Sequence, residues 1–175
     1  MKPSKNHVGA DNQQEKQVGW IVGFVDGEGT FSVSINKNPT TSSGWQIFPE
    51  FVITQGAKSL PALEEIKTFF DCGKLYVNHR NDNHREDLYR FCVRTIKDLD
   101  EKIVPFFKAN PLKTAKQEDF IKFAKILVLI KQGKHLAPKG VERIAKIIQT
   151  MNRKKPSRYL LSSETTCQES VLSTD

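Results

Sequence analysis

The stretch from Gly19 to Gly29 constrains this chain more than any other. Gly19, Gly23 and Gly27 recur at every fourth position within a run whose Val18, Ile21, Val22 and Val25 keep helical spacing. A glycine inside a helix costs about 1 kcal/mol relative to alanine. Three on one stripe therefore require a compensating gain, and the physical one is close approach by another helix, as small residues allow in membrane-helix pairs. Asp26 and Glu28 end the run at the helix C-terminus, where the macrodipole is negative and Lys or Arg is favoured. Two acids there imply a nearby positive charge, most simply a divalent cation; Mg²⁺ takes one or two carboxylates plus phosphate oxygens and water. If the glycine stripe packs on a second copy of the chain, the helix ends converge near a twofold axis and two Glu28 carboxylates meet. The glycines lack G-x-G-x-x-G spacing and precede a strand, which argues against a dinucleotide site.

Beyond the stripe the pattern turns to sheet. Residues 30–36 alternate, with Phe31, Val33 and Ile35 on one side and Thr30, Ser32, Ser34 and Asn36 on the other. The turn-rich 38–44 leads to a second strand over 45–55 and so to an antiparallel hairpin. Residues 59–70 read as a helix with Ser59 as candidate cap and Pro61 in its first turn, closed by Gly73. Strands over 74–80 and 87–95 make a second hairpin, and helices come after it over 97–107, 115–132 and 138–151. The order α-β-β-α-β-β-α-α-α predicts a mixed α+β fold with one four-stranded antiparallel sheet. It divides into a flexible arm (1–14), a single domain (15–152) and a tail (153–175) that is first basic, then Ser/Thr-rich and disordered.

The charge balance names the partner class. The chain of 175 residues carries a net charge of +7 and has a pI near 9.3, which favours polyanions, nucleic acid first. From Lys97 to Arg158 there are 16 Lys or Arg against 6 Asp or Glu, so the excess sits in the C-terminal helices and tail. No apolar run reaches a membrane span, and the polar N-terminus lacks the core of a secretory signal. Cys72, Cys92 and Cys167 form no C-x-x-C pair, so neither zinc nor disulfides are indicated, and an intracellular compartment fits. His7, His79, His84 and His135 fall in separate segments, and none takes a catalytic role.

Ile21-Val22-Gly23-Phe24-Val25-Asp26-Gly27-Glu28-Gly29 resembles the nine-residue motif of the LAGLIDADG homing endonucleases. The resemblance runs from about Val18 to Met151: Phe51-Val52-Ile53-Thr54-Gln55 resembles the end of the family's second strand, Gly73 with Tyr76-Val77 and Arg80 its third, and Pro105-Phe106 and Lys116-Gln117 the approach to its C-terminal helices. It implies a saddle-shaped sheet in the DNA major groove and, with one motif copy, a homodimer. The implied activity is a Mg²⁺-dependent double-strand cut, with Mn²⁺ as a substitute, leaving 3′ overhangs in a long pseudo-palindromic site. The implied setting is a host intron, commonly in an organellar ribosomal RNA gene of chloroplast or mitochondrion. By the same resemblance Glu28 is the metal-binding acid, the Gly27 carbonyl also faces the metal, Asp26 is structural, and Gln55 orients water. A lysine near the start of the C-terminal helices assists, either Lys113, which is favoured, or Lys116. Glu28 departs from the usual aspartate by one methylene.

Sequence reading is expected from the polar face of the sheet: Ser32, Ser34, Asn36, Gln46, Glu50, Lys74, Tyr76, Asn78, Arg80, Arg90 and Arg94. A strand ribbon fits the major groove, where Arg reads guanine, Asn or Gln adenine, and Glu cytosine. Lys116 and the Lys-rich helices are expected at phosphates, which position the protein without reading sequence. Gly19, Gly23 and Asp26 are expected at the dimer interface. Two alternatives stand beside the nuclease: a maturase binding intron RNA, and a DNA-binding regulator that no longer cuts.

Overall fold

The computed structural model describes residues 7–79, 87–152 and 159. Its first helix, α1 (His7–Glu28), starts at His7 and not at Glu15. Residues 7–14, expected within a flexible arm, are thus its first turns. Those turns carry no apolar stripe, so periodicity could not reveal them, although Gln13 and Gln14 are good helix formers. The tail and the expected turn at 81–84 lie outside the described residues, apart from Tyr159, whose ring packs edge-on to Trp45 with centroids 5.1 Å apart.

β1 (Gly29–Lys37) succeeds α1 without a connecting loop. A Cβ on Gly29 would sit 2.6 Å from the Val25 side chain and 2.9 Å from its carbonyl oxygen, so only glycine permits so abrupt a passage from helix to strand. β2 (Trp45–Gly56) and α2 (Leu60–Phe70) come next. Ser59 precedes α2 but makes no side-chain cap. Gly73, at φ +80°, would place a Cβ 2.6 Å from the Phe91 ring, which explains a glycine at the entry to β3 (Lys74–Asn78). β4 (Leu88–Val93) completes a four-stranded antiparallel sheet of order β1-β2-β4-β3. The predicted 97–107 helix is present as α3 (Ile96–Asp98), a π-helical turn (Leu99–Ile103) and α4 (Val104–Ala109). α5 (Lys116–Lys131) and α6 (Pro138–Ile148) end the fold.

Strand alternation divides the sheet into two faces. Phe31, Val33, Ile35, Phe51, Ile53, Phe91 and Val93 are buried beneath the helices. Phe31 is the hub, with its ring 5.1 Å from Phe51, 5.4 Å from Phe107, 5.2 Å from Phe120 and 5.4 Å from Phe123 between centroids. Asn152, just past α6, donates its side-chain amide to the Phe31 carbonyl at 3.1 Å, tying the end of the helical layer to edge strand β1. The other face, bearing the strand polar residues, is left open by the described helices. No helix among the described residues is long and apolar enough to cross a membrane.

Candidate active site and nucleic-acid interface

The two acids at the end of α1 have different surroundings. Asp26 turns back into its own chain. Its Oδ2 accepts the Lys113 N–H at 2.7 Å, its Oδ1 accepts the Thr114 hydroxyl at 2.6 Å, and the Thr114 N–H lies 3.2 Å from both oxygens. Desolvation alone would raise the Asp26 pKa. The Thr114 hydroxyl, the Lys113 and Thr114 amides and the Lys116 charge together outweigh it and hold the carboxyl below its ordinary value. The positive charge inferred for this helix end is therefore met, at Asp26, by protein groups leading into α5. Asp26 also lines the groove along the glycine stripe, the side of α1 where a partner subunit is expected.

Glu28 is the opposite case. It is exposed and makes no hydrogen bond or ion pair with any described residue. Its charge acts on Lys116, whose Nζ donates to the Val25 carbonyl at 2.9 Å and so caps the C-terminal end of α1. Burial pulls the Lys116 pKa below the usual lysine value, against the opposing pull of Asp26, Glu28 and Asp119. Lys113 contributes its backbone amide to Asp26, while its side chain lies on an exposed residue. Of the two lysines weighed, Lys116 is the one whose ammonium is held against this helix end, while Lys113 lines the groove beside α1.

Gln55 sits opposite Tyr89 near the end of β2 and has the parity of Phe51 and Ile53, so alternation directs it away from the open face. It is half-exposed there and makes no hydrogen bond to Glu28. Gly27 lies in the last turn of α1, where a carbonyl has no intrahelical partner. Among the described residues no three His, Cys, Asp or Glu side chains gather as a metal cage. The two described cysteines are free; burial pushes the Cys72 thiol up to about 11, which makes it inert, and Cys92 is buried in β4.

The glycine stripe is open. A Cβ added at Gly19, Gly23 or Gly27 would meet nothing within 4 Å, so no helix among the described residues provides the close approach that three glycines suggest. A groove of 820 Å³ runs along this side of α1, lined in part by Val18, Gly19, Val22, Gly23, Asp26 and Pro111. Trp20, 37% exposed, packs against Phe24 on the same helix with ring centroids 5.5 Å apart.

Cross-strand register gathers the expected reading residues on the open face. Ser32 pairs with Glu50 and Asn36 with Gln46; Thr54 pairs with Arg90; Tyr76 also pairs with Arg90 and Asn78 with Leu88. Ser34, Lys74 and Arg94 share that face, and Arg80 lies outside the described residues. Gln46 accepts from the Asn38 amide at 2.7 Å. Phe48, 41% exposed opposite Ser34, and Thr54 share this face but are not among the residues expected on it, and Thr30 is placed there by the alternation without a reading role. The period-2 pattern carries all three, but an aromatic such as Phe48 reads as core.

The profile of the LAGLIDADG endonuclease family matches residues 21–127. A probable intron-encoded endonuclease of Neurospora crassa is 30% identical over 73% of this chain, which spans 26% of that relative's length. The crystal structure of the homing endonuclease I-TnaI, 38% identical, superposes with a TM-score of 0.76 over 85% of this chain and 96% of its own. I-SmaMI, bound to an uncleaved DNA target in the presence of calcium ions, is 32% identical with a TM-score of 0.75; the match covers 84% of this chain and 48% of that one. Motif, sheet order, register and these likenesses agree, and the chain belongs to the LAGLIDADG endonuclease family.

Proposed function

We propose that this chain is one subunit of a homodimeric homing endonuclease that makes a metal-dependent double-strand cut, with 3′ overhangs, in a long pseudo-palindromic DNA site. The observation that carries the proposal is Glu28: a carboxylate unpaired among the described residues, in a chain of net charge +7, at the junction of α1 and the open polar sheet face. One such carboxylate, with the helix-end Gly27 carbonyl, fits half of a hard-cation site for Mg²⁺ or Mn²⁺, which needs few protein ligands when phosphates supply the rest. The open glycine stripe supports a second copy of α1 as the source of the other half. When bound, such an ion activates water and neutralises charge on the phosphoryl oxygens.

The protein groups have separate tasks. Glu28 supplies a fixed anion, and its extra methylene relative to aspartate lengthens its reach. Lys116 holds a positive charge beside it while capping α1, so the position of that charge is set by the helix end. Asp26 fastens the 113–114 segment and thereby the start of α5. Water orientation by Gln55, at the end of β2, is carried by the family resemblance alone, because alternation turns its side chain from the open face. The sheet face receives the duplex in its major groove, with Arg90 and Arg94 among its readers.

The relatives' description as intron-encoded supports residence in an intron, and an intron in an organellar ribosomal RNA gene is the proposed setting. A plasmid carrying the uninterrupted site should be linearised by the chain with Mg²⁺, and Glu28→Gln should abolish cutting while DNA binding persists. Binding without cutting by the native chain would favour the maturase or regulator readings. Full activity in Glu28→Gln would remove Glu28 from the site.

A further inference from the structure

Glu50 is the one acidic residue on the open face among the described residues, and the expectation for it was cytosine reading. Its surroundings assign it another task. Its Oε2 accepts from Arg94 Nε at 2.9 Å, and its Oε1 lies 3.5 Å from Arg90 Nη2 and 3.5 Å from the Ser32 hydroxyl. Both oxygens are engaged by the protein. The Glu50 side chain is 26% exposed and that of Arg94 53%, so the arginine stands further into the space a duplex would fill.

Arg94 is held on two sides. Its Nε edge is fixed to Glu50, and its guanidinium carbon lies 5.3 Å from the centre of the Tyr76 ring on β3. A guanidinium has five N–H donors in a rigid fork. One is spent on Glu50, and the terminal Nη pair remains. A fork of donors with no acceptor matches the N7 and O6 acceptors of guanine in the major groove; adenine offers N7 beside a competing N6 donor.

We propose that Arg94 reads a guanine in each half-site, and that Glu50 and Tyr76 are positioning residues that hold its fork ready. This rests on the open face being the duplex-binding surface. The pre-ordering matters because an arginine side chain loses much rotamer freedom on binding, and a fork already pinned loses less.

The test is selection of bound duplexes from a library randomised over several helical turns, using the full chain without divalent metal. The native chain should enrich sites with a guanine column in each half. Arg94→Ala should flatten that column, with a loss of guanine preference of roughly 5- to 150-fold, and leave the other columns standing. Glu50→Gln and Tyr76→Leu should weaken the same column although Arg94 is present, while Tyr76→Phe, which keeps the stacked ring, should retain it. Circular dichroism checks that each variant is folded, and Arg94→Lys serves if Arg94→Ala is not.

A guanine column that survives Arg94→Ala overturns the proposal. So does a Glu50→Gln variant that loses a cytosine column and keeps the guanine one, because Glu50 would then be a reader. An enriched site with no Arg94-sensitive column sinks this inference and leaves the duplex-binding reading intact. No enrichment by the native chain sinks both.

Discussion

Replacing Asp26 by Asn tests the link between the motif helix and the helical layer. The native carboxylate takes three donors, the Lys113 and Thr114 amides and the Thr114 hydroxyl, at 2.6 to 3.2 Å. Asn is nearly isosteric but keeps one acceptor; its NH₂ would face the Lys113 N–H or the Thr114 pair. Hydrogen bonds to a charged group contribute about 1.5–3 kcal/mol when well shielded. Residues 113 and 114 are exposed, so water replaces part of the loss, and the cost falls toward that of a lost helix cap, about 1–2 kcal/mol. For a chain of this size that lowers Tm by roughly 2–8 °C. Thermal melts monitored by circular dichroism measure it.

The pH dependence supplies a second check on the same variant. Because the folded Asp26 pKa lies below its ordinary value of 3.8, the stabilisation is present above that value and is lost as pH falls through the folded pKa. The gap between native and Asn melts should therefore be constant near neutrality and close only below about pH 4. In a double-mutant cycle, Thr114→Val should couple to Asp26→Asn by about 1 kcal/mol, since the two groups share a bond. A Tm unchanged at neutral pH, or a gap that widens on acidification, would refute the reasoning.

Three further outcomes rest on the same geometry. Gly23→Leu should leave the isolated chain folded, because nothing lies within 4 Å of its Cβ, yet abolish self-association in sedimentation; a normal dimer from this variant would remove the glycine stripe from the interface. Lys116→Met should cut cleavage by about 100-fold or more, the scale for loss of one preorganised charged donor, with Lys113→Met within a few-fold of native; the reverse order of losses would return the role to Lys113. Phe31→Ala, at the centre of the aromatic cluster, should cost about 3–5 kcal/mol in denaturant unfolding, and a loss under about 1 kcal/mol would show that the packing there is not central.

Which of these features the sequence could disclose depends on how far apart the interacting residues lie. The alternation in 30–36 disclosed β1 and both its faces, because a half-buried strand writes its burial into every second residue. The glycine stripe was equally plain, since helical period places i and i+4 together whatever they later touch. The Asp26–Thr114 bond joins residues 88 apart, and no local pattern records it. Without that bond the two acids of α1 look alike, and both ask for a cation. With it, Asp26 has hydrogen-bond partners in its own chain and Glu28 has none among the described residues, so the two acids differ. The same distance hid the choice between Lys113 and Lys116. Three residues apart, they differ in their contacts: Lys113 gives its backbone amide to Asp26, and Lys116 gives its ammonium to the Val25 carbonyl. The placement of the lysine and the asymmetry of the acids are thus linked: the segment that hydrogen-bonds Asp26 leads into the helix whose Lys116 reaches the end of α1.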